Sequence, residues 1–330
     1  MKLLFVTDTH IRGTTPRNRR DNFPETLQAK LAEVMEIAAA HRVDAIVHGG
    51  DVFDRPDLAP AVVRSFAAVL REAPAPIYAV AGNHDVYGHN PETVGRTMLG
   101  LLDAFGTVRL LHPGEPVRLE KGGITVQLTG QPFHYDIDRR DAVLDYRSPL
   151  PRNADVTVHV AHGMVTDKPL PGSVPYTLLD TLWGSDAPDV LLTGHYHAGF
   201  GARKREGKWI VNPGALSRVN NQLAEVRRMP QVAVLTLGAG IDVELVPISC
   251  ARPGEEVLDR HYVEQAAYRE EKLNRFVQQV REAADFQTLE LAQILDHLAG
   301  LTQVSDAVRE EALRRIAAAQ ERLAKGEQAP

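Results

Sequence analysis

Cysteine is almost absent from this chain, since Cys250 is the only one among 330 residues. A single cysteine excludes an intrachain disulfide and a cysteine-cluster zinc site, and it is typical of the reducing cytoplasm. Apolar runs of about 18 or more residues, the length of a membrane-spanning helix, are also missing. The N-terminal stretch MKLLFVTDTH is too briefly apolar for a signal peptide. We therefore predict a cytoplasmic protein with no membrane segment.

The chain also lacks an excess of positive charge. Lys and Arg together number 37 and Asp and Glu 43, which gives a formal net charge of −6. A surface of this overall sign does not attract nucleic acid as a whole. A phosphate-rich ligand must therefore be held by a local group of cations or by bound metal. The hydrophobic content of 44% suffices for a sizeable core in one large domain, with or without an appendage.

Short apolar runs, rich in β-branched residues, have the length of buried strands. They are LLFV at 3–6, VDAIV at 43–47, PIYAV at 76–80, VTVHV at 156–160 and DVLL at 189–192. Residues 25–41 and 58–72, which lie between the first three runs, repeat apolar residues at helical spacing. Strands that alternate with helices predict an α/β fold with parallel pairing.

The pattern changes twice later in the chain. From about residue 107, strand-like segments follow one another through glycine-containing turns, which predicts a second sheet with much antiparallel pairing. After about residue 257 the strand signal gives way to amphipathic helices. We therefore divide the chain into a domain of residues 1–250 and a helical C-terminal extension of residues 251–330.

Polar residues able to bind metal follow each of the apolar runs. They are Asp8 and His10, then Asp51 and Asp54, then Asn83, His84 and Asp85, then His162, and finally His195 and His197. Ligands of α/β sheets bind at the carboxyl ends of the strands, so these groups can converge on one point. Because side chains two positions apart in a strand point the same way, both members of DTH and of HYH are expected to face that point.

The residue types indicate which metals fit. Imidazole and carboxylate groups with one amide and no thiolate suit Mn, Fe, Zn or Ni. There are too many such groups for one metal, and they suit a pair about 3.5–4 Å apart with a bridging carboxylate. Each motif alone is also compatible with a strand-end turn or a surface loop. Their joint occurrence, in order and always after a strand, favours the metal site.

These motifs resemble the signature of the calcineurin-like metallophosphoesterase superfamily. The matching segments are Asp8-Thr-His10, Gly50-Asp51-Val-Phe-Asp54, Gly82-Asn83-His84-Asp85, His162 and Gly194-His195-Tyr-His197. Within that superfamily the chain is most similar to SbcD-type DNA repair exonucleases, through GDVFDRP, AGNHD, the arginine-rich RGTTPRNRRDNF and VNPGALSR. The resemblance covers roughly residues 1–248. It implies an αββα core, a two-sheet β-sandwich flanked by helices.

The resemblance also implies a role for each residue. One metal is held by Asp8, His10 and His197, the other by Asn83, His162 and His195, and Asp51 bridges them. His84 is implied as the catalytic histidine that is not a ligand, and Asp54 and Asp85 as carboxylates that orient histidines. The two cofactors are expected to be divalent, with Mn²⁺ first and Fe, Zn or Ni open, and to activate hydroxide for attack on a phosphodiester.

The substrate inference rests on the arginine-rich loop. Arg17, Arg19 and Arg20 lie close in sequence to the first metal ligands, where they would grip backbone phosphates. A solvated loop is the alternative interpretation. DNA is thus the expected partner, and a nuclease the expected function.

Two other functions stay open at this point. A phosphoesterase for a small molecule, such as a cyclic nucleotide, a nucleotide or a phosphomonoester, would share the metals and differ in its cleft. A catalytically silent scaffold is disfavoured, because all the ligand positions and His84 are filled. SbcD-type enzymes continue into a capping region with strands and then helices that dock an SMC-like ATPase. Only helices are expected here, which departs from that pattern and counts against canonical capping and an ATPase partner. The C-terminal helices are expected to pack on the core, on a second copy of the chain as a homodimer, or on another protein such as an SMC-like ATPase.

Overall fold

The computed structural model describes residues 1–148, 150–172 and 174–259. Beyond them it describes isolated helical residues, namely Lys272, Arg275, Ala307, Val308, Glu311, Arg314 and Arg315. The chain divides into two compact units, Met1–Arg260 and His261–Pro330. Most of the predicted helical extension lies outside the described residues, so its boundary and the partners assigned to it stay predictions. Among the described residues, no helix combines the length and the apolar character that crossing a bilayer requires.

The described residues of the first unit form fourteen strands. They are β1 Lys2–Val6, β2 Ala45–His48, β3 Ile77–Ala79, β4 Arg109–Leu110, β5 Val117–Lys121, β6 Ile124–Gln131, β7 Val156–Ala161, β8 Val165–Thr166, β9 Thr177–Leu178, β10 Val190–Thr193, β11 Gly201–Arg205, β12 Lys208–Asn212, β13 Gln231–Leu237 and β14 Ile241–Pro247. All five predicted buried strands are present, as β1, β2, β3, β7 and β10.

Within residues 1–259, as far as they are described, six α-helices accompany the strands. They are α1 Phe23–His41, α2 Pro60–Leu70, α3 Met98–Ala104, α4 Val143–Tyr146, α5 Leu223–Arg227 and α6 Gly254–Val257, with 3₁₀ turns at Tyr87–His89, Pro91–Arg96 and Leu179–Leu182. The helix α1 buries Leu27, Leu31 and Val34 on one face. The helix ends at Arg42, which adopts a left-handed conformation with φ 53°. The N–H of Arg42 donates to the carbonyls of Ala38 and Ala39 in the last turn.

The strands form two six-stranded sheets, in the orders β14-β13-β1-β2-β3-β4 and β11-β12-β10-β7-β6-β5. The predicted antiparallel second sheet needs correction. Its centre, β12-β10-β7-β6, is parallel, and only β11 and β5 at the edges pair antiparallel. The hairpin β13-β14 instead returns to the first sheet, where β13 lies antiparallel to β1. Strand propensity along the chain does not encode which partner a strand takes, so this long-range pairing was missed.

The buried side chains form three layers. Helices α1, α2 and α3 pack on the outer face of the first sheet, through residues such as Leu4 and Phe66. The inner faces of the two sheets meet around Phe5, Val158 and Leu192. The outer face of the second sheet is covered by the segment that contains Ile137 and Tyr146. The α/β sandwich flanked by helices is therefore confirmed.

Candidate metal centre

The carboxyl ends of both sheets meet at the predicted site. The backbone N–H of His195, which follows β10 of the second sheet, donates to both carboxylate oxygens of Asp8, over 3.1 and 3.2 Å. Asp8 itself follows β1 of the first sheet. The ring Nδ1 of His162, just after β7, donates to the carbonyl of Gly49, just after β2, over 2.7 Å. These bonds hold the two sheet edges together, and they bring the strand-end clusters to one place.

The backbone around the site is strained. Asp8, His10, Asp51 and His195 all adopt positive φ, at 53°, 46°, 51° and 71°. A residue with a Cβ in this region costs on the order of 1–3 kcal/mol, and such residues concentrate at functional sites. The expectation that strand alternation aims both members of DTH and HYH is wrong, because β1 ends at Val6 and β10 at Thr193. Left-handed turns aim these side chains.

One group of side chains consists of Asp8, His10, Asp51 and His197, whose ligand atoms all lie within 4.8 Å of one another. The Nε2 atoms of His10 and His197 are 3.0 Å apart. The Nε2 of His197 lies 3.4 Å from Asp8 Oδ1, and that of His10 lies 3.6 Å from Asp51 Oδ2. We call these four residues the first cluster.

A second group shares Asp51 with the first. It contains Asp51, His162 and His195, again with ligand atoms within 4.8 Å, and Asn83 adjoins it. The Nε2 of His162 lies 3.4 Å from Asp51 Oδ2 and 3.2 Å from Asn83 Oδ1. We call Asp51, Asn83, His162 and His195 the second cluster. All seven predicted ligands thus lie in two clusters that meet at Asp51.

The hydrogen-bonding of His162 shows that these atoms fit a cation. Because its Nδ1 donates to Gly49, the neutral ring presents a lone pair at Nε2, which faces the acceptor oxygens of Asp51 and Asn83. Asp51 Oδ2 is buried without a hydrogen-bond partner among the described residues. Two ligand atoms that each lie about 2.1 Å from one cation stand about 3.0–3.4 Å apart, at angles from about 90° to tetrahedral. The separations of 3.0, 3.2 and 3.4 Å match that range.

The charge state of the ligands suits metal binding. Burial lowers the pKa of His10 and of His195 to about 3, so both rings are neutral at pH 7. Burial would raise the pKa of Asp51, but His162 and His10 hold it well below its ordinary value. For His162, burial opposes the imidazolium, yet Asp51 outweighs burial and raises the pKa to about 9. A metal ion would therefore compete with a proton for the Nε2 lone pair of His162.

His84 lies beside the first cluster. Its ring is 4.8 Å from that of His10 and nearly perpendicular to it. Its backbone N–H donates to Asp51 Oδ1 over 2.8 Å, and its Nδ1 donates to the carbonyl of Asp54 over 2.8 Å. Although His10, Asp54 and His84 also place ligand-type atoms within 4.8 Å, that Nδ1 is committed to a carbonyl. Nε2 is therefore the His84 nitrogen left for proton transfer.

Asp54 orients the ring of His84 through the main-chain carbonyl of Asp54. The prediction gave that role to the Asp54 carboxylate. The carboxylate forms an ion pair with Arg12, at 3.0 Å, and lies 3.7 Å from His10 Nδ1, beyond hydrogen-bond length. In the sequence, Arg12 begins the arginine-rich segment RGTTPRNRRDNF, and no role at the metal site was predicted for it. Its position two residues after His10 was the available signal that it belongs to the site.

The three arginines predicted to bind substrate separate in the structure. Arg17 is exposed, and Arg20, with a side chain 54% exposed, lies 3.4 Å from Asp259. Arg19 is buried, pairs with both oxygens of Asp21 and donates to the carbonyl of Arg218 over 2.9 Å. Its donors are committed within the fold, so the assignment of Arg19 to substrate is corrected.

Asp85 shapes the site through bonds from main-chain groups to its carboxylate, whereas the prediction was that this carboxylate orients histidines. Buried Asp85 accepts N–H bonds from Val52, Phe53 and Gly82, over 3.1, 2.8 and 2.9 Å, so it ties the turn after β2 to the turn after β3. Burial and the charge of Asp51 raise the pKa of Asp85 to about 7. Its partners are backbone groups that side-chain patterns do not reveal.

An aromatic residue covers the second cluster. The ring of Phe133 lies 5.5 Å from that of His195 and 6.3 Å from that of His162, and His89 packs against it at 5.3 Å. The backbone N–H of Phe133 donates to the carbonyl of Ala81 over 2.9 Å. Phe133 therefore connects the second sheet to the strand end that carries Asn83.

Comparison with known proteins agrees with this geometry. A family model described as calcineurin-like phosphoesterase matches residues 1–199. Over 110 residues, 32% of this chain, the sequence is 33% identical to the DNA double-strand break repair protein Mre11 of Aeropyrum pernix. The matched region spans only about a quarter (26%) of that protein.

Solved structures to which this chain is similar are more distant in sequence. The calcineurin-like phosphoesterase YfkN from Bacillus subtilis has a TM-score of 0.50 and 13% identity, over 83% of this chain and 98% of that chain. The NAD nucleotidase NadN from Haemophilus influenzae has a TM-score of 0.39 and 12% identity, over 75% of this chain and 49% of that chain.

Proposed function

The chain belongs to the calcineurin-like phosphoesterase family, a family of metal-dependent phosphoester hydrolases, and we propose that it hydrolyses phosphodiester bonds in DNA with two divalent metal ions. One observation carries the proposal. The buried Asp51 Oδ2 lies 3.6 Å from His10 Nε2 and 3.4 Å from His162 Nε2, and it has no hydrogen-bond donor among the described residues.

In this proposal the two clusters hold one metal each. Asp8, His10 and His197 hold the first, Asn83, His162 and His195 hold the second, and Asp51 is shared. Mn²⁺ is the proposed ion, and it is one of several, with Fe, Zn and Ni, that imidazole and carboxylate ligands without thiolate suit. The bound pair supplies Lewis acidity toward the phosphoryl oxygens and lowers the pKa of a water.

The chain's own residues supply the rest of the chemistry. With Nδ1–H donated to the Asp54 carbonyl, Nε2 is the nitrogen of His84 that exchanges protons. When the ring is doubly protonated, Nε2–H can pass its proton to the leaving oxygen, which leaves the neutral ring with a lone pair on Nε2. The Arg12–Asp54 ion pair, at 3.0 Å, anchors the turn that provides this carbonyl. Neutral His10 and His195 keep their lone pairs for metal at physiological pH.

DNA as the substrate is supported by two observations. The region similar to a DNA double-strand break repair protein supplies one. The other is the loop that follows the first cluster, where exposed Arg17 and half-exposed Arg20 can meet backbone phosphates. With an overall charge of −6, such local cations are what a DNA phosphodiesterase would need.

A second candidate is hydrolysis of a small phosphoester, for which the chain offers a cavity of about 280 Å³ that adjoins the site through Phe133 but is lined by no residue of either cluster. Its lining is mostly apolar, including Ala81, Val94, Leu111 and Pro132, and Ala81 and Pro132 flank the contact with Phe133. This volume lies near the lower end of small-molecule sites, about 300–1,000 Å³.

A Mn²⁺-dependent activity panel tests both candidates. It compares linear double-stranded DNA, single-stranded DNA, a cyclic nucleotide and a chromogenic phosphodiester. The DNA proposal expects the highest kcat/KM with a DNA substrate, and filling the cavity by Val94→Trp should leave that value unchanged. Preference for the cyclic nucleotide, lost in Val94→Trp, would favour the second candidate instead.

A further inference from the structure

The loop of residues 215–218 directs its carbonyls toward buried cations. All four consecutive carbonyls accept a bond from a lysine or arginine side chain. Those of Ala215 and Ser217 accept from Arg228 over 2.5 and 2.6 Å, that of Leu216 from Lys30 over 3.1 Å, and that of Arg218 from Arg19 over 2.9 Å. We call Arg19, Lys30 and Arg228 the cation cluster.

The opposite side of the same loop holds the first cluster. The N–H of Ala215 donates to the carbonyl of His197 over 3.0 Å. The N–H and the hydroxyl of Ser217 both donate to the carbonyl of Asp8, over 3.3 and 3.1 Å. Asp8 adopts a left-handed backbone conformation, which persists only where its surroundings enforce it.

The second cluster is held differently. His162 is fixed by the carbonyl of Gly49, and the N–H of His84, next to Asn83, is fixed by Asp51. Neither of these bonds involves the loop of residues 215–218, and His195 is linked to the loop indirectly, because its N–H donates to the carboxylate of Asp8. Disturbance of the loop should therefore reach one metal site before the other.

The cation cluster is costly to bury. The side chains of Arg19, Lys30 and Arg228 are 1%, 2% and 11% exposed. Arg19 pairs with Asp21 and Arg228 with Glu225, but Lys30 has no carboxylate partner among the described residues. Burial and the neighbouring arginines lower the pKa of Lys30 to about 7. A buried lysine without a carboxylate is unfavourable for stability, so its presence calls for another reason.

We propose that the cation cluster positions the first metal site: by fixing the carbonyls of residues 215–218, it holds the loop whose N–H groups fix the main chains of Asp8 and His197. These cations are positioning residues, since they touch neither metal nor substrate. The inference rests on the metal assignment of the proposed function, and it adds that the two sites depend unequally on this loop.

The test uses the full chain and Mn²⁺ as the probe, with bound metal counted after equilibrium dialysis. Arg228→Gln removes two carbonyl contacts and the ion pair with Glu225. Arg227→Gln is the matched control, because it changes the exposed neighbour that ends α5. We expect Arg228→Gln to weaken one of two sites by about 10–100-fold, the usual effect of losing a group that supports a ligand. Wild type and Arg227→Gln should bind two equivalents.

Lys30→Met separates positioning from general stability. It removes the Leu216 contact but replaces a buried charge with an apolar chain of similar length, so thermal stability should stay equal or rise. We still expect weaker binding at one site. Adding Asn83→Ala to Arg228→Gln should then abolish binding, because the two changes act on different sites.

Three outcomes would overturn parts of this account. Wild type that binds fewer than two equivalents contradicts the metal assignment itself. Wild type that binds two, with Arg228→Gln and Lys30→Met also unchanged, contradicts only the positioning role. In the third outcome, Arg228→Gln weakens both sites equally, and the core variant Val34→Ala does the same at an equal loss of melting temperature. The cation cluster would then only stabilise the fold in general.

Discussion

The ring of His84 donates its Nδ1–H to the main-chain carbonyl of Asp54 over 2.8 Å. This bond fixes the tautomer of the neutral ring, because the other nitrogen must then carry the lone pair. The backbone N–H of His84 also donates to the shared Asp51. His84 is thus attached to the metal centre through its main chain, while its ring stays outside the ligand set.

Replacement of His84 by Ala should separate turnover from metal binding. We expect kcat to fall by about 10²–10⁴-fold, the usual contribution of a general acid, with Mn²⁺ content equal to that of wild type. His41→Ala is the control, since His41 ends α1 at the opposite edge of the sheet from the site. Loss of Mn²⁺ in His84→Ala would show that the ring is a ligand.

Metal affinity should depend on pH through His162. Asp51 raises the pKa of His162 from 6.5 to about 9, against the effect of burial. Below pH 9 a proton therefore occupies the Nε2 lone pair that the metal would use. We expect Mn²⁺ affinity, measured by calorimetry, to rise from pH 6.5 to 9, with proton release that fades toward pH 9. Affinity that is flat across this window would contradict the assignment.

The same shift predicts the stability of the metal-free chain. In the folded chain the pKa of His162 lies above its ordinary value of 6.5. The stabilisation that the protonated ring gives the folded state is therefore complete below about pH 6.5 and is lost as the pH rises through 9. The pKa of Lys30 is lowered to about 7, so Lys30 makes the folded state more stable as the pH rises above 7, opposite to His162. The pH dependence of stability is therefore best measured in the Lys30→Met variant. Its free energy of unfolding should decrease from pH 6.5 to 9, unlike that of the Lys30→Met/His162→Asn double variant.

Gly82 should tolerate no side chain. A Cβ at this position would collide with the backbone nitrogen and the carboxylate of Asp51, whereas a Cβ at Gly95 meets open space. We expect Gly82→Ala to lower the free energy of unfolding by about 1–3 kcal/mol and to reduce bound Mn²⁺. Gly95→Ala should change neither, and full Mn²⁺ content in Gly82→Ala would show that Asp51 is not shared.

The arginine-rich loop should affect DNA binding through two of its residues. Replacing Arg17 and Arg20 with Gln should flatten the slope of the logarithm of DNA affinity against the logarithm of salt concentration, by up to about 0.9 per lost phosphate contact. The melting temperature should stay unchanged. Arg19→Gln should instead destabilise the fold by on the order of 3 kcal/mol, because Asp21 loses its partner. Arg118→Gln, on the distant strand β5, serves as the control. An unchanged salt slope would remove the loop from the DNA interface.

The sequence indicated the strands and the residues of the site, because both depend on local order. Asp8, Asp51 and His162 each follow a buried apolar run, and parallel strands bring such positions to one edge. The pairing of β13 with β1 was not predictable in this way, because partner choice depends on contacts between residues far apart in sequence.

The local geometry of the site could not be read from side-chain patterns either. The left-handed conformations of Asp8 and His195 arise from bonds across the two sheets. Arg19 looked like a surface cation because it is charged and next to other arginines, yet it is satisfied by the carbonyl of Arg218, about two hundred positions away (199).

The most direct measurement is anomalous X-ray diffraction at the manganese edge, on crystals of the full chain grown with Mn²⁺. The account predicts two peaks about 3.5–4 Å apart on either side of Asp51, one beside His10 and His197 and the other beside His162 and His195. A single peak, or a pair of peaks that does not share Asp51, would contradict it.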